Sequence, residues 1–330
     1  MKVKVGITEV EFNKARDIFL NERGLECIPV PEAENELSAM VISKGIKHVI
    51  IGAARYQDAL YKSLSEGSVM ARFGVGHDGV NKEKASARGI LCTNTPGILD
   101  DSVAEYTLLL ILSAARQIVD VAPQCKMGIW RSHVGHDLKN KRLAVIGCGP
   151  IGRSVARMAS LGFQMEVTGC EISDVDAERM KKEFGFSRLT KDFGEAVQDA
   201  DFVSLHIPAN QANYHFLNRD RLAMLPERAW LINTARGALV DEDALYEALV
   251  SDKIAGAVLD VFEKEPYAPS GINDLRAVKN IIMLPHLASS TREACDKTAS
   301  RCLENIRHAE ALDFQKMDLL NRDLLIKYRS

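Results

Sequence analysis

The sequence predicts an α/β fold built on parallel sheets and divided into two domains. Three observations carry this. Short apolar, β-branched runs alternate with helix-patterned stretches along most of the chain. The runs fall into two series, separated by one strongly apolar segment. The 330 residues, 46% hydrophobic and 26% charged, are enough for an ordinary core in each of two globular domains.

In the first series the expected strands are Val3–Thr8, Cys27–Val30, His48–Ala53, Val69–Val75 and Ile90–Asn94. Next, Ser102-Val103-Ala104-Glu105 opens an apolar stretch that runs to Ala115. Ser and Glu three apart predict a capping box at the start of a helix. A helix apolar on nearly all sides is expected to be buried, here as the crossover between the domains. The second series is Arg142–Gly147, Glu166–Glu171, Asp201–Ile207, Ala229–Thr234, Ala255–Val261 and Ile281–Leu284. Residues after about Leu287 look helical again and need not belong to the second domain. The Leu- and Lys-rich tail, Leu319 to Ser330, reads as a solvated helix end.

A formal charge of −3 gives no electrostatic reason to expect nucleic acid or an anionic membrane as partner. The N-terminus lacks the apolar core and cleavage site of a signal peptide, and the longest apolar run, Leu108 to Leu112, is far short of a membrane span. Seven cysteines form no CxxC pair and read as small hydrophobes in a reducing compartment. A cytoplasmic protein is expected.

The strongest motif is Val145-Ile146-Gly147-Cys148-Gly149-Pro150-Ile151-Gly152. GxGxxG alone is weak, but here it follows a strand and opens a helix (Ile151–Leu161), and Glu171 ends the next strand. That is the context a dinucleotide site requires. Gly147 permits the tight turn, Gly149 lets backbone amides reach a pyrophosphate, and Gly152 lets helix and strand pack closely. The helix N-terminus adds partial positive charge. Glu171 would accept the ribose hydroxyls. No Arg or Lys follows in Ile172-Ser173-Asp174-Val175-Asp176, so a 2′-phosphate would meet only acid, which favours NAD over NADP.

Three further segments sit just after expected strands, where open α/β sheets place their ligands. They are Leu231–Gly237 with Arg236, Leu259–Pro266 with Asp260, Glu263 and Glu265, and Leu284–Ser290 with His286. Arg binds a carboxylate bidentately. His moves a hydroxyl proton near neutral pH, and a neighbouring carboxylate stabilises its imidazolium. These are the parts needed to handle an α-keto or α-hydroxy carboxylate.

With these motifs in order from roughly residue 50 to 300, the chain resembles the D-isomer-specific 2-hydroxyacid dehydrogenases, a family that includes D-3-phosphoglycerate, D-lactate and D-glycerate dehydrogenases and glyoxylate/hydroxypyruvate reductases. The resemblance implies a Rossmann-type NAD-binding domain at 102–286, inserted in a smaller flavodoxin-like α/β substrate domain made of 1–101 plus 287–330. It implies that Arg236 binds substrate and that Glu265 and His286 form the acid–base dyad. Asp260 would face the nicotinamide carboxamide. Pro150, Ile151, Thr234 and Ala235 would line the cofactor, as would His206-Ile207-Pro208, although Ala209-Asn210-Gln211 departs from the family's usual continuation. Arg72–Asp78 matches the glycine loop, so Gly74, Val75, Gly76 and His77 are expected substrate contacts. The helix from about residue 102 and the arm through Trp130 form a dimer interface in relatives, so a homodimer is expected.

Phosphoglycerate-specific relatives carry an arginine soon after the strand matching His48–Ala53. Here the segment reads Ile51-Gly52-Ala53-Ala54-Arg55-Tyr56. A slip of one residue turns a side chain to the other face, so Arg55 reaches a substrate pocket only if the register allows. A small or polar unphosphorylated 2-keto acid, glyoxylate or hydroxypyruvate, is expected over 3-phosphohydroxypyruvate. Three alternatives stay open: a phosphoglycerate dehydrogenase, a phosphite-type dehydrogenase, and a non-enzymatic NADH-sensing protein like the corepressors built on this fold. Glu265 disfavours formate oxidation, where relatives pair the histidine with glutamine. His133 and His136 have no evident metal-binding partner and read as loop histidines. Cys148 reads as a tolerated small side chain in the turn.

Overall fold

The computed structural model describes residues 2–269 and 271–328. The chain divides into two compact units, Met1–Leu99 with Ser290–Ser330, and Asp100–Ser289. Each unit is built on its own all-parallel sheet.

The first unit holds β1 (Val3–Thr8), β2 (Leu25–Val30), β3 (His48–Ile51), β4 (Val69–Arg72) and β5 (Leu91–Thr93), in the order β2-β1-β3-β4-β5. This is the flavodoxin-like order. Alternation along β3 feeds two cores, as a parallel sheet covered on both faces requires. Ile50 packs with Val5, Ile7, Phe19 and Ala299, while Val49 and Ile51 pack with Leu37, Val41 and Tyr61. The helical pattern after Leu287 is the helix Arg292–Glu310, which belongs to this unit and is capped by the Thr291 hydroxyl accepting from the Ala294 amide.

The tail departs from the sequence reading. It is not a solvated helix end. Leu319 and Leu324 are buried, Leu319 bridges antiparallel to Thr93, and only a 3-10 turn, Arg322–Tyr328, follows. Asn321 accepts from the Cys92 amide at 2.9 Å and donates to Ile90 O at 2.9 Å. β5 is an edge strand, and the tail satisfies backbone groups that the edge would leave open. Residues 329 and 330 of that expectation lie outside the described residues.

The second unit holds β6 (Arg142–Ile146), β7 (Glu166–Cys170), β8 (Phe186–Thr190), β9 (Phe202–Leu205), β10 (Trp230–Asn233), β11 (Gly256–Leu259) and β12 (Ile281–Met283), in the order β12-β11-β10-β9-β6-β7-β8. Within the unit this is the Rossmann order, with β6 and β9 flanking the point where the chain reverses direction across the sheet. The sequence reading missed β8. Its residues, Phe-Ser-Arg-Leu-Thr, lack a buried-strand signature because it pairs on one side only, with a register irregularity near Val167 and Thr168.

The apolar crossover is a single helix, Asp100–Arg116. It begins two residues before Ser102, so Ser102 and Glu105 lie inside it and the expected capping box is not its start. Nor is it buried all round. Val103, Ala104, Leu108, Leu110 and Ile111 are buried, but Leu109 is 53% exposed. Its inner face packs on Ile232 of β10, Val258 of β11 and Ile282 of β12. The helix after the glycine motif is Pro150–Arg157, and a π-helical turn, Met158–Gly162, continues it. Among the described residues no single helix is long and apolar enough to cross a membrane.

Candidate active site

Every catalytic or cofactor residue expected in the second unit lies past the C-terminal end of a strand of its sheet, in the loop there or, for Pro150, Ile151 and Gly152, in the first turn of the helix that follows. Parallel strands deliver this automatically, because each strand ends on the same side.

The turn after β6 has the required geometry. Gly147 sits at φ +95°, and the cap at Gly149 leads into the helix with Pro150 at its start. A side chain on Gly152 would stand 2.1 Å from Gly147 O, so only glycine lets helix and strand meet here. One on Gly149 would meet nothing within 4 Å. No side chain caps the helix start, so its first amides remain available to an anion in that open space. This cradle fits a dinucleotide diphosphate.

Glu171 follows β7 and accepts from the Cys148 amide at 3.0 Å and the Ser173 amide at 2.9 Å. Burial pushes its carboxyl up, but these amides and its other hydrogen bonds pull it below the usual range, so it is firmly anionic. Cys148 is buried and its thiol is pushed up to about 12 by burial and by Glu171, which makes it inert. His206 leaves β9 with its amide on Ile146 O at 2.7 Å and its Nε2 2.9 Å from the Ser204 hydroxyl. Burial drops its pKa to about 4, so the ring is neutral. Ile207 and Pro208 continue the wall beside the glycine turn; a side chain on Gly147 would strike Ile207.

Past β10, Thr234 is buried and Asn233 organises the turn, accepting from the Ala235 amide at 3.0 Å and donating to Arg236 O at 2.9 Å. Arg236 is partly buried and donates through Nη1 to Ala235 O at 2.6 Å. Past β12, His286 Nδ1 lies 2.8 Å from Glu265 Oε2. A carboxylate only accepts, so Nδ1 carries hydrogen and Nε2 is the end left for chemistry. Glu265 Oε1 accepts from the Phe262 amide at 3.0 Å, which fixes the carboxylate plane. Burial pushes the Glu265 carboxyl up. The hydrogen bond and charge of His286, the Phe262 amide and the charge of Arg236 more than offset this and hold it below the usual range. Glu263, the nearest competitor, points elsewhere and accepts from the Tyr214 hydroxyl at 2.6 Å.

Asp260 has partners that the sequence did not reveal. It is fully buried, and its oxygens accept the Leu287 and Ala288 amides, both at 2.8 Å. Its backbone oxygen accepts the His286 amide at 2.8 Å. Burial raises its carboxyl pKa, and the two amides, His286 and Tyr106 oppose the rise. The bonds seen tie it to the histidine loop.

In the first unit, the loop after β4 is held from below. Thr95 N donates to Gly74 O at 3.1 Å and Asn94 Nδ2 donates to Val75 O at 2.7 Å. The Gly74 amide is spent on Arg72 O at 2.9 Å, so of the expected amides those of Val75 and Gly76 are left without a hydrogen-bond partner among the described residues. His77 is partly buried in the same loop, its carbonyl accepting from the Val80 amide at 3.0 Å. Arg55 is exposed and makes no hydrogen bond or ion pair among the described residues.

Sequence reasoning missed two contributors. A side chain on Gly237 would lie 1.8 Å from the Phe262 carbonyl carbon, so that glycine lets the Arg236 turn press against the loop that carries Glu265. The Arg-Gly pair was the available signal. Thr107, on a helix far away in sequence, brings its hydroxyl to 3.1 Å from that of Thr234, and no local pattern marks it.

Comparison with known proteins agrees with this geometry. The family described as D-isomer specific 2-hydroxyacid dehydrogenase, NAD binding domain, matches residues 108–288. A glyoxylate reductase of Thermococcus litoralis is 36% identical over 281 residues, covering 81% of this chain and 82% of its own. A D-3-phosphoglycerate dehydrogenase of Methanocaldococcus jannaschii is 35% identical over 309 residues, 92% of this chain and 57% of its own. The crystal structure of an NADPH-dependent glyoxylate/hydroxypyruvate reductase from Sinorhizobium meliloti, in complex with NADP and malonate, is 25% identical with a TM-score of 0.78, covering 93% of each chain. A nicotinamide-binding oxidoreductase acting on CH–OH donors is what fold, cradle and kinship share, and the chain belongs to the D-isomer specific 2-hydroxyacid dehydrogenases.

Proposed function

We propose that this chain is an NAD-preferring reductase of a small, unphosphorylated 2-keto acid, glyoxylate or hydroxypyruvate, running reversibly to the D-2-hydroxy acid. The observation that carries the chemistry is the 2.8 Å contact between His286 Nδ1 and Glu265. It leaves Nε2 to give its proton to the keto oxygen, while Glu265 stabilises the imidazolium until the proton is gone. Arg236 binds the substrate carboxylate, and the open amides of Val75 and Gly76 are the proposed substrate contacts of the first unit. When bound, the nicotinamide cofactor supplies the hydride. Hydride to carbon and proton to oxygen together account for the alcohol formed. Gly147, Gly149, Pro150, Ile151 and Gly152 would hold the diphosphate, and His206, Pro208, Thr234 and Ala235 would line the rest. Asp260 would meet the carboxamide only through lone pairs left beside its loop bonds.

Support for NAD comes from the anionic Glu171, which accepts from the Cys148 amide of the glycine turn and would repel a 2′-phosphate brought there. Support for an unphosphorylated substrate is Arg55, exposed beside small Ala53 and Ala54. A buried dianion without a paired cation is strongly disfavoured. The Methanocaldococcus relative gives phosphoglycerate oxidation as the second reading. One assay series decides both points: catalytic efficiency with NADH against NADPH, and with hydroxypyruvate against 3-phosphohydroxypyruvate. Equal efficiency with NADPH sinks the cofactor choice. A preference above about tenfold for the phosphorylated acid, lost on Arg55→Ala, establishes the second reading instead.

A homodimer in the cytoplasm completes the proposal. Leu109, Ile118, Val119, Met127 and Val134 are exposed on the same stretch of chain as Trp130, itself 90% exposed. Exposed apolar side chains gathered on one surface mark an interaction site, and this arm is where the resemblance to the family implies a dimer interface.

A further inference from the structure

The turn that carries Arg236 is tied down at two places. Asn233, the last residue of β10, holds it from within, accepting from the Ala235 amide at 3.0 Å and donating to Arg236 O at 2.9 Å. The second tie comes from the helix Asp100–Arg116. Thr107 of that helix is fully buried, and its hydroxyl donates to Val103 O at 2.8 Å. The same oxygen stands 3.1 Å from the hydroxyl of Thr234, which is also buried. Thr107 has spent its one hydrogen on Val103, so Thr234 donates and Thr107 accepts.

Both sides of the turn are backed by fixed structure. Leu108 and Ile111 of the helix share one core with Ile232 of β10, Val258 of β11 and Ile282 of β12. Beyond the turn, Gly237 is packed so closely on the Phe262 carbonyl that a side chain there would lie 1.8 Å from its carbon. Between these supports, the aim of Arg236 follows the peptide units just before it. Its Nη1 donates to Ala235 O at 2.6 Å, so a rotation of that carbonyl turns the guanidinium with it. Bidentate recognition of a carboxylate depends on the direction of the planar fork. A buried donor without an acceptor is costly. Loss of the Thr107 hydroxyl would therefore drive Thr234 to reorient, one residue before that carbonyl.

We propose that Thr107 is a positioning residue for substrate binding: through Thr234 it fixes the turn that aims Arg236 at the substrate carboxylate. This rests on the reading of Arg236 as the group that binds the carboxylate. Thr107→Val keeps the shape of the side chain and removes the hydroxyl, whereas Thr107→Ser keeps the hydroxyl. In the full chain, Thr107→Val should raise KM for the keto acid about three- to thirtyfold, with kcat and NADH affinity within about twofold of the parent. Thr107→Ser should return KM to within about twofold. Thr234→Val breaks the same bond from the side of the turn and carries the test if Thr107→Val does not fold. It should raise KM to the same degree, and combining the two should add less than about twofold. In an Arg236→Lys background, Thr107→Val should change KM by less than about twofold, because the fork it aims is gone. An unchanged KM in the folded valine variants overturns the proposal. So does a loss carried by kcat or NADH affinity alone, a Thr107→Ser variant that does not restore KM, or equal losses in the parent and Arg236→Lys backgrounds. Failure of the carboxylate reading shows elsewhere, as catalytic efficiency within about threefold of the parent in Arg236→Lys by itself.

Discussion

The loop that carries His286 and the loop Gly74–Gly76 both leave the C-terminal edge of a parallel sheet, yet they are built in opposite ways. Around His286 the bonds are saturated: Asp260 takes three amides of residues 286–288 through its side chain and backbone, and Glu265 is fixed by the Phe262 amide. Around Gly74 the loop is held from below by Thr95 and Asn94, while two successive amides are left open among the described residues. A group that moves a proton must be held in one orientation, so its neighbours use up every bond. A surface that receives a substrate must leave bonds unmade. The difference teaches where specificity can vary without harm to chemistry: among the unbonded groups of the first unit.

The largest effect should fall on the saturated loop. His286→Ala should lower turnover about a hundred- to ten-thousandfold, the worth of a positioned general acid, with NADH affinity near normal. Full activity would mean that the tight loop holds something other than the acid. Next, Arg236→Lys should cost well over tenfold in kcat/KM, because lysine keeps the charge and loses the planar two-point contact. A lysine variant within about threefold of the parent would move carboxylate recognition to the open amides.

Glu265→Gln should change the pH profile more than the maximum rate. The Glu265 carboxyl is held below its usual range partly by the hydrogen bond and charge of His286, so its negative charge favours the protonated dyad. Ketone reduction needs the protonated ring, and its basic limb should therefore move to lower pH. An unmoved limb would show that Glu265 does not act through His286. The smallest effect belongs to the first unit: Arg55→Ala should change kcat/KM for hydroxypyruvate by less than about twofold, as expected of an exposed side chain that makes no hydrogen bond or ion pair among the described residues. A larger loss would show that Arg55 turns inward with substrate and would weaken the contrast between the two loops.

Much of this was legible before any coordinates. The alternation of apolar runs gave eleven of the strands, because parallel strands buried on both faces read as continuous hydrophobic runs. The glycine turn, Glu171, Arg236, Glu265 and His286 were legible because their chemistry requires particular residue types just past strand ends. Other features were not. β8 is an edge strand with one paired side and carries no such run. The start of the helix Asp100–Arg116 was misplaced because Ser102 and Glu105 mimic a cap. The tail reads as solvated in sequence, since what it binds is an edge strand some 230 residues earlier, the separation of the Ile90–Asn321 bond.

By itself, then, the sequence determined which chemistry is present, because local periodicity and strand-end residue types are properties of neighbours along the chain. Only the tertiary structure decided which polar groups are used up and which stay open. Asp260 is given to the histidine loop, the Gly74 amide is spent within its own turn, and Thr107 is brought to Thr234 from a distant helix. A hydrogen bond is settled by distance and direction in space, and residues 127 positions apart, as Thr107 and Thr234 are, leave no trace of theirs in local pattern.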